Sequence, residues 1–185
     1  MDADKIKEGV RLILEGIGED PEREGLVDTP DRIARMCEEI FAGLYTSPDP
    51  LLQCTFDGTA YGREMIVEKD ITFYSVCEHH LLPFYGTAHV AYIPDGRVVG
   101  ISKLARVVDL LAKRPRLQEG LTADIADALM RCLKPKGVIV MLTAEHTCMT
   151  MRGIKKPGTK TVTLAKRGIC SGEPSLQEEF FRLIG

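Results

Sequence analysis

The chain has 185 residues, of which 44% are hydrophobic and 28% charged, with a net charge of −3. These values are ordinary for one globular domain, with or without an appendage. There is no basic excess to indicate a nucleic-acid partner, so an anionic ligand would need a local cluster of cations. The acidic start, MDAD, lacks the apolar stretch of a secretory signal. The longest apolar run, residues 138–142, is far too short to cross a bilayer. We therefore expect a cytoplasmic protein without a membrane partner.

Two amphipathic helices are predicted in the N-terminal third. Apolar residues of the first recur at helical spacing: Val10, Ile13, Leu14 and Ile17. Thr29-Pro30 is typical of a helix start, with Thr29 as the cap. The second helix continues with one apolar face: Ile33, Met36, Cys37, Ile40, Phe41 and Leu44. The sequence SPDP at residues 47–50 predicts a boundary between a helical segment, 1–50, and a main domain, 51–185.

Beyond residue 51 the pattern changes to β-branched or alternating segments bordered by Gly or Pro. The predicted strands are 65–75, 82–94, 97–101, 138–152 and 159–165. Two helices interrupt them, one running from Ser102 to a stop before Pro115 and the other covering 117–133. Two strands, two helices and two further strands predict an α+β domain with helices on one face of an antiparallel sheet.

The most distinctive local pattern is Cys77-Glu78-His79-His80, with His146-Thr147-Cys148 far downstream. Cys and His are ligands that zinc prefers, and a catalytic zinc takes three protein ligands with a fourth position open for water. On a flat strand Cys77 and His80 would face opposite sides, so they can share one ion only if the chain turns after Cys77. Cys148 is the natural candidate for a third ligand.

The downstream segment adds further polar groups. On an extended strand, alternate residues share one face, namely His146, Cys148, Thr150 and Arg152. One strand is thus predicted to supply a base, a metal ligand and a phosphate-binding cation to one cleft. The alternative is that a lone C-x-x-H pair binds nothing, because buried cysteines are common as small apolar residues. Four of the six cysteines are interpreted as small apolar residues of this kind: Cys37, Cys54, Cys132 and Cys170. His89, on an alternating strand, is interpreted as a hydrogen-bonded structural histidine.

A group of cations lies at the start of the helix that Ser102 is predicted to cap. Lys103 and Arg106 stand where the helix dipole disfavours positive charge by about 0.3–1 kcal/mol, and a bound anion would explain their placement. Alternatively, Arg106 pairs with Asp109 on a wet face and Lys103 is merely solvated. Glu119, in the first turn of the next helix, is either an ordinary N-terminal acid or a carboxylate that accepts two hydrogen bonds from guanine.

Several separated segments resemble the signature segments of GTP cyclohydrolase I. They are SVCEHHLLPF at 75–84, GISKLAR at 100–106, RPRLQE at 114–119 and HTCMTMRG at 146–153. GEDPEREGL at 18–26 and TPDR at 29–32 are similar to the N-terminal motif of that family. The likeness extends from about Ile6 to Ile184, in order and at compatible spacing, which is far more specific than one short motif.

The resemblance implies a role for each matching residue. Zinc would be held by Cys77, His80 and Cys148, and protons would be transferred by His79 and His146. Glu119 would recognise guanine, with Gln118 and Ser102 near the purine and ribose. The triphosphate would be bound by Lys103, Arg106 and Arg152, and by Arg35 where the family often has lysine. Gly120 departs from the usual Gln-Glu-Arg, which puts the local packing or an interface in question but not the chemistry.

The resemblance also implies a fold, an assembly and a reaction. The fold would be the tunnelling fold, a ββααββ unit, assembled into a toroidal homodecamer with sites at subunit junctions. The reaction would convert GTP to 7,8-dihydroneopterin triphosphate and formate, the first step of folate and pterin biosynthesis. The alternatives are a relative with the same fold acting on another purine or pterin, and a non-catalytic zinc-stabilised binding module. A cytidine-type deaminase would need P-C-x-x-C, and the sequence contains no C-x-x-C.

Overall fold

The computed structural model describes residues 1–59 and 64–185. The helices are α1 (Ala3–Gly16), α2 (Thr29–Ile40), α3 (Asp49–Gln53), α4 (Ile101–Ala112), α5 (Gln118–Leu133), α6 (Thr147–Thr150) and α7 (Pro174–Ile184). The strands are β1 (Thr55–Asp57), β2 (Ile66–Cys77), β3 (Pro83–Ile93), β4 (Arg97–Val99), β5 (Pro115–Arg116), β6 (Gly137–His146) and β7 (Lys160–Gly168). Short 3₁₀ helices lie at Ala42–Tyr45 and Ile169–Ser171. Within the described ranges, no helix has the length and apolar character to span a bilayer.

A five-stranded sheet forms the centre of the fold, with the strand order β5-β2-β3-β6-β7. All neighbours are antiparallel except the short β5, which pairs parallel to β2. Between β3 and β6 the chain forms α4 and α5, so the main elements follow the order ββααββ. The predicted α+β class and order of elements are confirmed. A separate two-stranded ladder joins β1 to β4.

The main core lies between one face of the sheet and helices α4 and α5. Apolar residues that recur at helical spacing on both helices are fully or almost fully buried: Leu104, Val107, Val108, Leu111, Leu121, Ile125, Ala128 and Leu129. Cys132, at the next inward position of α5, is half-buried. A smaller cluster on the opposite face, with Ala91, Ile93 and Ile139, is covered by Phe180 of α7. Successive strand residues point to opposite faces, so the two clusters use alternate positions of β3 and β6.

Helix α1 is amphipathic as predicted, but it buries no residue within the single chain. Ile13 and Ile17 are 65% and 71% exposed, although α1 lies against α2 through an ion pair of Lys7 with Asp31 at 2.6 Å. Apolar side chains are also exposed on the sheet face opposite α4 and α5: Tyr74, Tyr85, Val162 and Leu164. The chain therefore has two apolar surfaces that its own helices do not cover.

Several predicted boundaries are wrong. Helix α2 has Asp28 rather than Thr29 at its cap position, and it ends at Ile40 instead of continuing to Leu44. The strand expected over 138–152 ends at His146, and the helical turn α6 follows it directly. Thr147 explains the change, because its hydroxyl donates to the carbonyl of Pro83 at 2.6 Å and its own carbonyl accepts from the amide of Met151. Helix α4 begins at Ile101 with Gly100 as its cap. Ser102 is therefore a first-turn residue rather than the cap.

The departure at Gly120 has a structural explanation. The Arg116 guanidinium lies across Gly120 and donates from Nε and Nη2 to the two carboxylate oxygens of Asp124, both at 2.8 Å. A Cβ at position 120 would lie 3.0 Å from Arg116 Nε, which is closer than an ordinary contact. Glycine at 120 thus leaves room for a bidentate pair between β5 and α5. Strand β5 pairs with the end of β2 at Cys77. The Arg116–Asp124 pair therefore also connects α5 to the Cys77 end of β2.

His89 is a buried structural histidine, as predicted from its strand. It is 7% exposed, and its Nδ1 accepts a hydrogen bond of 3.3 Å from the amide of Asp70. Asp70 has a φ of 59° and lies where the β2–β3 register shifts between Glu68 and Ile71. An acceptor Nδ1 requires an unprotonated nitrogen, and burial lowers the pKa of His89 accordingly.

The lowered pKa of His89 predicts a loss of stability in acid. The stabilisation is fully present above the unfolded-state pKa of about 6.5 and is lost as the pH falls through the lower folded-state pKa, because the unfolded state binds the extra proton first. His89→Gln removes this titration. We expect its free energy of unfolding, measured by urea titration from pH 8 to pH 5, to fall less steeply than that of the unmodified protein. Parallel curves would contradict this role of His89.

Candidate active site

Strand β3 brings two distant parts of the sequence together. Phe84 pairs with Ser75 of β2 on one side and with His146 of β6 on the other. By the alternation of strand residues, Cys77, Phe84 and His146 lie on the face covered by α5. Helix α5 begins with Gln118 at the same end of the sheet. A cleft is thus formed where β2 and β6 end and α5 begins.

The chain turns immediately after Cys77, as metal sharing with His80 would require. The amide of Cys77 donates to the carbonyl of Leu82 at 2.8 Å, and the carbonyl of Cys77 accepts from Leu81 at 2.9 Å. Leu81 adopts a φ of 53° to close this turn. His79 and His80 project from it and are exposed, with their ring centroids 6.3 Å apart.

Three metal-binding side chains meet in the cleft. The two sulfur atoms of Cys77 and Cys148 and a ring nitrogen of His146 all lie within 4.8 Å of one another. Cys77 is buried and the other two are half-buried. Burial raises the pKa of the Cys148 thiol, and the neighbouring Cys77 raises it further. Burial lowers the pKa of His146, which nearby Glu119 opposes. A bound cation would favour the thiolate form of Cys148, which burial and the neighbouring sulfur otherwise disfavour.

This donor set fits zinc. Thiolate sulfurs and imidazole nitrogens are its usual ligands. Two sulfurs bound to one tetrahedral zinc at 2.3 Å lie about 3.8 Å apart, which is compatible with the spacing of Cys77 and Cys148. Among the described residues the cluster contains three donors, the number that catalytic zinc sites have, whereas structural sites use four.

His80, which the resemblance assigns as a ligand, lies at the rim of the cleft and outside this cluster. Its Nε2 is 3.1 Å from Nη1 of Arg152. A guanidinium can only donate hydrogen bonds, so Nε2 of His80 is the acceptor and carries a lone pair. The imidazole grouped with the two thiols is that of His146, which the resemblance implies as a proton-transfer residue.

The cleft has a volume of about 500 Å³. Eight of the predicted site residues line it: Cys77, His79, His80, Gln118, Glu119, His146, Cys148 and Arg152. Five lining residues were not predicted: Leu117, Met149, Gly153, Ile154 and Thr161. All but Thr161 lie within two residues of a predicted one along the chain, which is the one signal that could have identified them. Glu119 is exposed to the cleft, whereas Gln118 is fully buried.

The remaining predicted site residues lie elsewhere on the single chain. Ser102, Lys103 and Arg106 belong to the first half of α4, and Arg35 to α2, and none of the four lines the cleft. Asp109 pairs with Lys113 at 3.5 Å rather than with Arg106. In the part of the chain that the structure describes, Arg106 is in no ion pair, so the alternative of an Arg106–Asp109 pair is not found.

An α+β domain with two thiols and an imidazole at the base of an open cleft is typical of metal-dependent enzymes. The sequence model described as GTP cyclohydrolase I matches residues 6–185. The chain therefore belongs to the GTP cyclohydrolase I family.

Named relatives match over the full length of the chain. A GTP cyclohydrolase 1 of Clostridium kluyveri is 58% identical over 184 residues, covering 100% of this chain and 98% of the relative. The GTP cyclohydrolase 1 of Carboxydothermus hydrogenoformans is 60% identical over 186 residues, covering 100% of this chain and 96% of the relative. The crystal structure of an archaeosine synthase QueF-Like in the apo form is 23% identical with a TM-score of 0.47, covering 56% of this chain and 93% of that one.

The proximity of the two cluster thiols predicts their oxidation when no metal separates them. After chelation and exposure to air, we expect a Cys77–Cys148 disulfide, identified by mass spectrometry of peptides after alkylation. The exposed Cys54 serves as a control thiol that stays alkylatable. Zinc supplied before exposure to air should prevent the disulfide, because the ligand thiolates are then occupied. Finding only free thiols at 77 and 148 would contradict the proximity.

Proposed function

We propose that this chain hydrolyses GTP to 7,8-dihydroneopterin triphosphate with release of formate, the first step of folate and pterin biosynthesis, in the cytoplasm. Family membership supports this reaction. The observation that carries it is the grouping of Cys77, Cys148 and His146 in one cleft with the Glu119 carboxylate and the Arg152 guanidinium. A metal-binding set, an acceptor for guanine and a cation for phosphate are what this substrate requires.

Zinc would be held by Cys77, Cys148 and one imidazole, which we assign to His80. Support for His80 is its place in the turn directly after Cys77 and the lone pair that its Nε2 presents towards Arg152. A substrate phosphate would compete for Arg152 and release that lone pair. Bound zinc supplies a Lewis acid that brings the pKa of a water molecule near neutrality.

Two histidines are then left for proton transfer. Opening of the guanine C8–N9 bond needs a proton on the ring nitrogen, and the hydrolysis that releases C8 as formate needs further transfers. His146 lies at the base of the cleft and His79 at its rim. Histidine suits both roles, because its ordinary pKa lies close to the working pH. The subsequent opening and rearrangement of the ribose would use the same two side chains.

Glu119 would hold the guanine. Its carboxylate is exposed in the first turn of α5 and can accept two hydrogen bonds from N1–H and the exocyclic amine. The ligand Cys77 and the guanine-binding carboxylate would therefore belong to β2 and α5, which β5 connects by pairing with β2 and by the Arg116–Asp124 pair with α5. This arrangement would hold the guanine between the metal-binding side chains and Glu119, all of which line the cleft.

The triphosphate would lie between two copies of the chain. Arg152 lines the cleft, but Ser102, Lys103, Arg106 and Arg35 do not, so we propose that a neighbouring copy supplies these four. The uncovered apolar surfaces of α1 and of the outer sheet face support such an assembly. A homodecamer, with residues 1–50 as a helical segment attached to the catalytic domain of residues 51–185, is the form that the resemblance implies.

The reaction is tested by incubating the zinc-loaded protein with GTP and measuring formate and the fluorescence of the oxidised pterin. Cys148→Ser should lose both zinc and formate release. His146→Ala should retain zinc but lose turnover by about 10²–10⁴-fold, the range of one acid–base group. Zinc content is measured on each variant by plasma mass spectrometry. Full turnover by metal-free Cys148→Ser would contradict the proposal, as would normal turnover by His146→Ala.

Glu119→Gln tests recognition of the base. The amide of glutamine has only one acceptor oxygen, and its N–H group would face a donor of guanine. We therefore expect kcat/KM for GTP to fall by about 10–100-fold, which is the usual cost of losing a hydrogen bond to a charged group. With inosine triphosphate, which lacks the exocyclic amine, the same substitution should lower kcat/KM less. Glu178→Gln on α7 is the matched control, since Glu178 is exposed and outside the cleft. Equal losses for both nucleotides would contradict contact of Glu119 with the amine.

A further inference from the structure

We propose that Gln118 is a positioning residue that fixes the protonation pattern of His146. In this inference, Gln118 holds the hydrogen of His146 on Nε2, so that Nδ1 is the ring atom that accepts and returns protons. The assignment of turnover to His146 rests on the proposed function, whereas the location of the ring hydrogen does not. The resemblance instead implies that Gln118 lies near the purine.

The orientation of the Gln118 carboxamide is fixed by its surroundings. The side chain is fully buried. One end of its amide lies 3.2 Å from the carbonyl oxygen of Leu142 and 3.0 Å from that of Thr161. Backbone carbonyls can only accept hydrogen bonds, so this end must be the nitrogen. A flipped amide would set its oxygen against two carbonyl oxygens in a buried site, which is unfavourable.

Two threonines complete a closed ring of hydrogen bonds around Gln118. Its Nε2 also lies 3.0 Å from the hydroxyl of Thr163, which lies 2.6 Å from the hydroxyl of Thr122. The Thr122 hydroxyl donates to the backbone carbonyl of Gln118 at 2.7 Å. Because Thr122 uses its hydrogen in that bond, Thr163 must be the donor to Thr122. Thr163 can then accept from Gln118, so every bond in the ring requires the same amide orientation.

The orientation of Gln118 determines the tautomer of His146. Nε2 of His146 lies 2.8 Å from Oε1 of Gln118. An amide oxygen can only accept, so Nε2 must carry the hydrogen, and the neutral ring keeps its lone pair on Nδ1. A donor–acceptor contact of this kind is how a neighbouring group commonly sets the orientation and tautomer of a functional histidine.

Phe84 fixes the plane of the same ring. The rings of Phe84 and His146 are stacked with centroids 4.5 Å apart and an angle of 4° between their planes. The two residues are directly paired between β3 and β6, so the stack is part of the sheet. With one face on Phe84 and Nε2 on Gln118, the imidazole can neither flip nor tilt without losing a contact.

This arrangement leaves Gln118 with no amide hydrogen for a substrate. Both hydrogens are used by acceptors of the protein, and the side chain has no exposed surface. A role through His146 predicts that a variant loses turnover, whereas direct contact with the purine predicts that it loses affinity for GTP. The two roles are therefore separable by kcat and KM.

The tautomer is tested by NMR on metal-free protein labelled with ¹⁵N-histidine, with the His146 signals assigned by comparison with His146→Asn. We expect a protonated Nε2 and an unprotonated Nδ1 at a pH where the ring is neutral. In Gln118→Leu, the Nε2 hydrogen should exchange with solvent at least about tenfold faster, as it loses its acceptor. A hydrogen on Nδ1 in the unmodified protein would overturn the inference, and so would unchanged exchange in Gln118→Leu.

The kinetic test uses zinc-loaded protein and a matched glutamine as the control. Gln118→Leu should lower kcat by about 10–100-fold, the usual cost of removing a partner of this kind, with KM for GTP and zinc content little changed. Gln177→Leu should leave kcat and KM unchanged, because Gln177 of α7 bonds only Lys166 and the Cys170 carbonyl in the described structure. If Gln118→Leu fails to fold, Gln118→Asn, one methylene shorter, removes the same contact.

The outcomes separate the two proposals. A raised KM with normal kcat in Gln118→Leu would assign Gln118 to the substrate and overturn its positioning role. If the unmodified protein releases no formate from GTP, the proposed function fails, while the NMR result still decides which nitrogen of His146 carries the hydrogen.

Discussion

Everything in the cleft depends on the pairing of β3 with its two neighbours. Phe84 stands beside Ser75 on one side and His146 on the other, and this register fixes how far apart Cys77 and His146 can be. A shift by one residue would turn His146 to the opposite face of the sheet. Gly86 supports the register, because a Cβ there would lie 1.9 Å from the carbonyl oxygen of Thr143. Only glycine permits that approach of β3 to β6.

The scaffold was largely predictable from the sequence, because its signals are local. The inward faces of α4 and α5 follow from the spacing of Leu and Val residues, and the turn after Cys77 follows from the end of a strand pattern. Other features depend on contacts between distant residues. Strand β6 ends at His146 because Thr147 bonds to Pro83 on the neighbouring strand, and no period in the sequence of β6 contains that information.

Within the site, the surroundings of Gln118 also depend on distant residues that the local sequence does not reveal. Only the family resemblance gives Gln118 a role in the sequence analysis, and that role places it near the purine. Its burial, however, is decided by β6 and β7, which supply Leu142, Thr161 and Thr163 as its partners. By contrast, the predicted cation cluster on α4 is present but lies outside the cleft of a single chain. The sequence alone could not indicate which of the predicted residues share one cavity.

The pair across Gly120 makes three positions interdependent. Arg116 occupies the space above the helix that a larger side chain at 120 would need, and Asp124 neutralises it. A side chain at 120 would press on the Arg116 guanidinium, since even its Cβ would lie 3.0 Å from Nε, and would thereby disturb the pair with Asp124. A chimera that exchanges α5 without β5 would therefore separate Arg116 from the glycine and the carboxylate that accommodate it here.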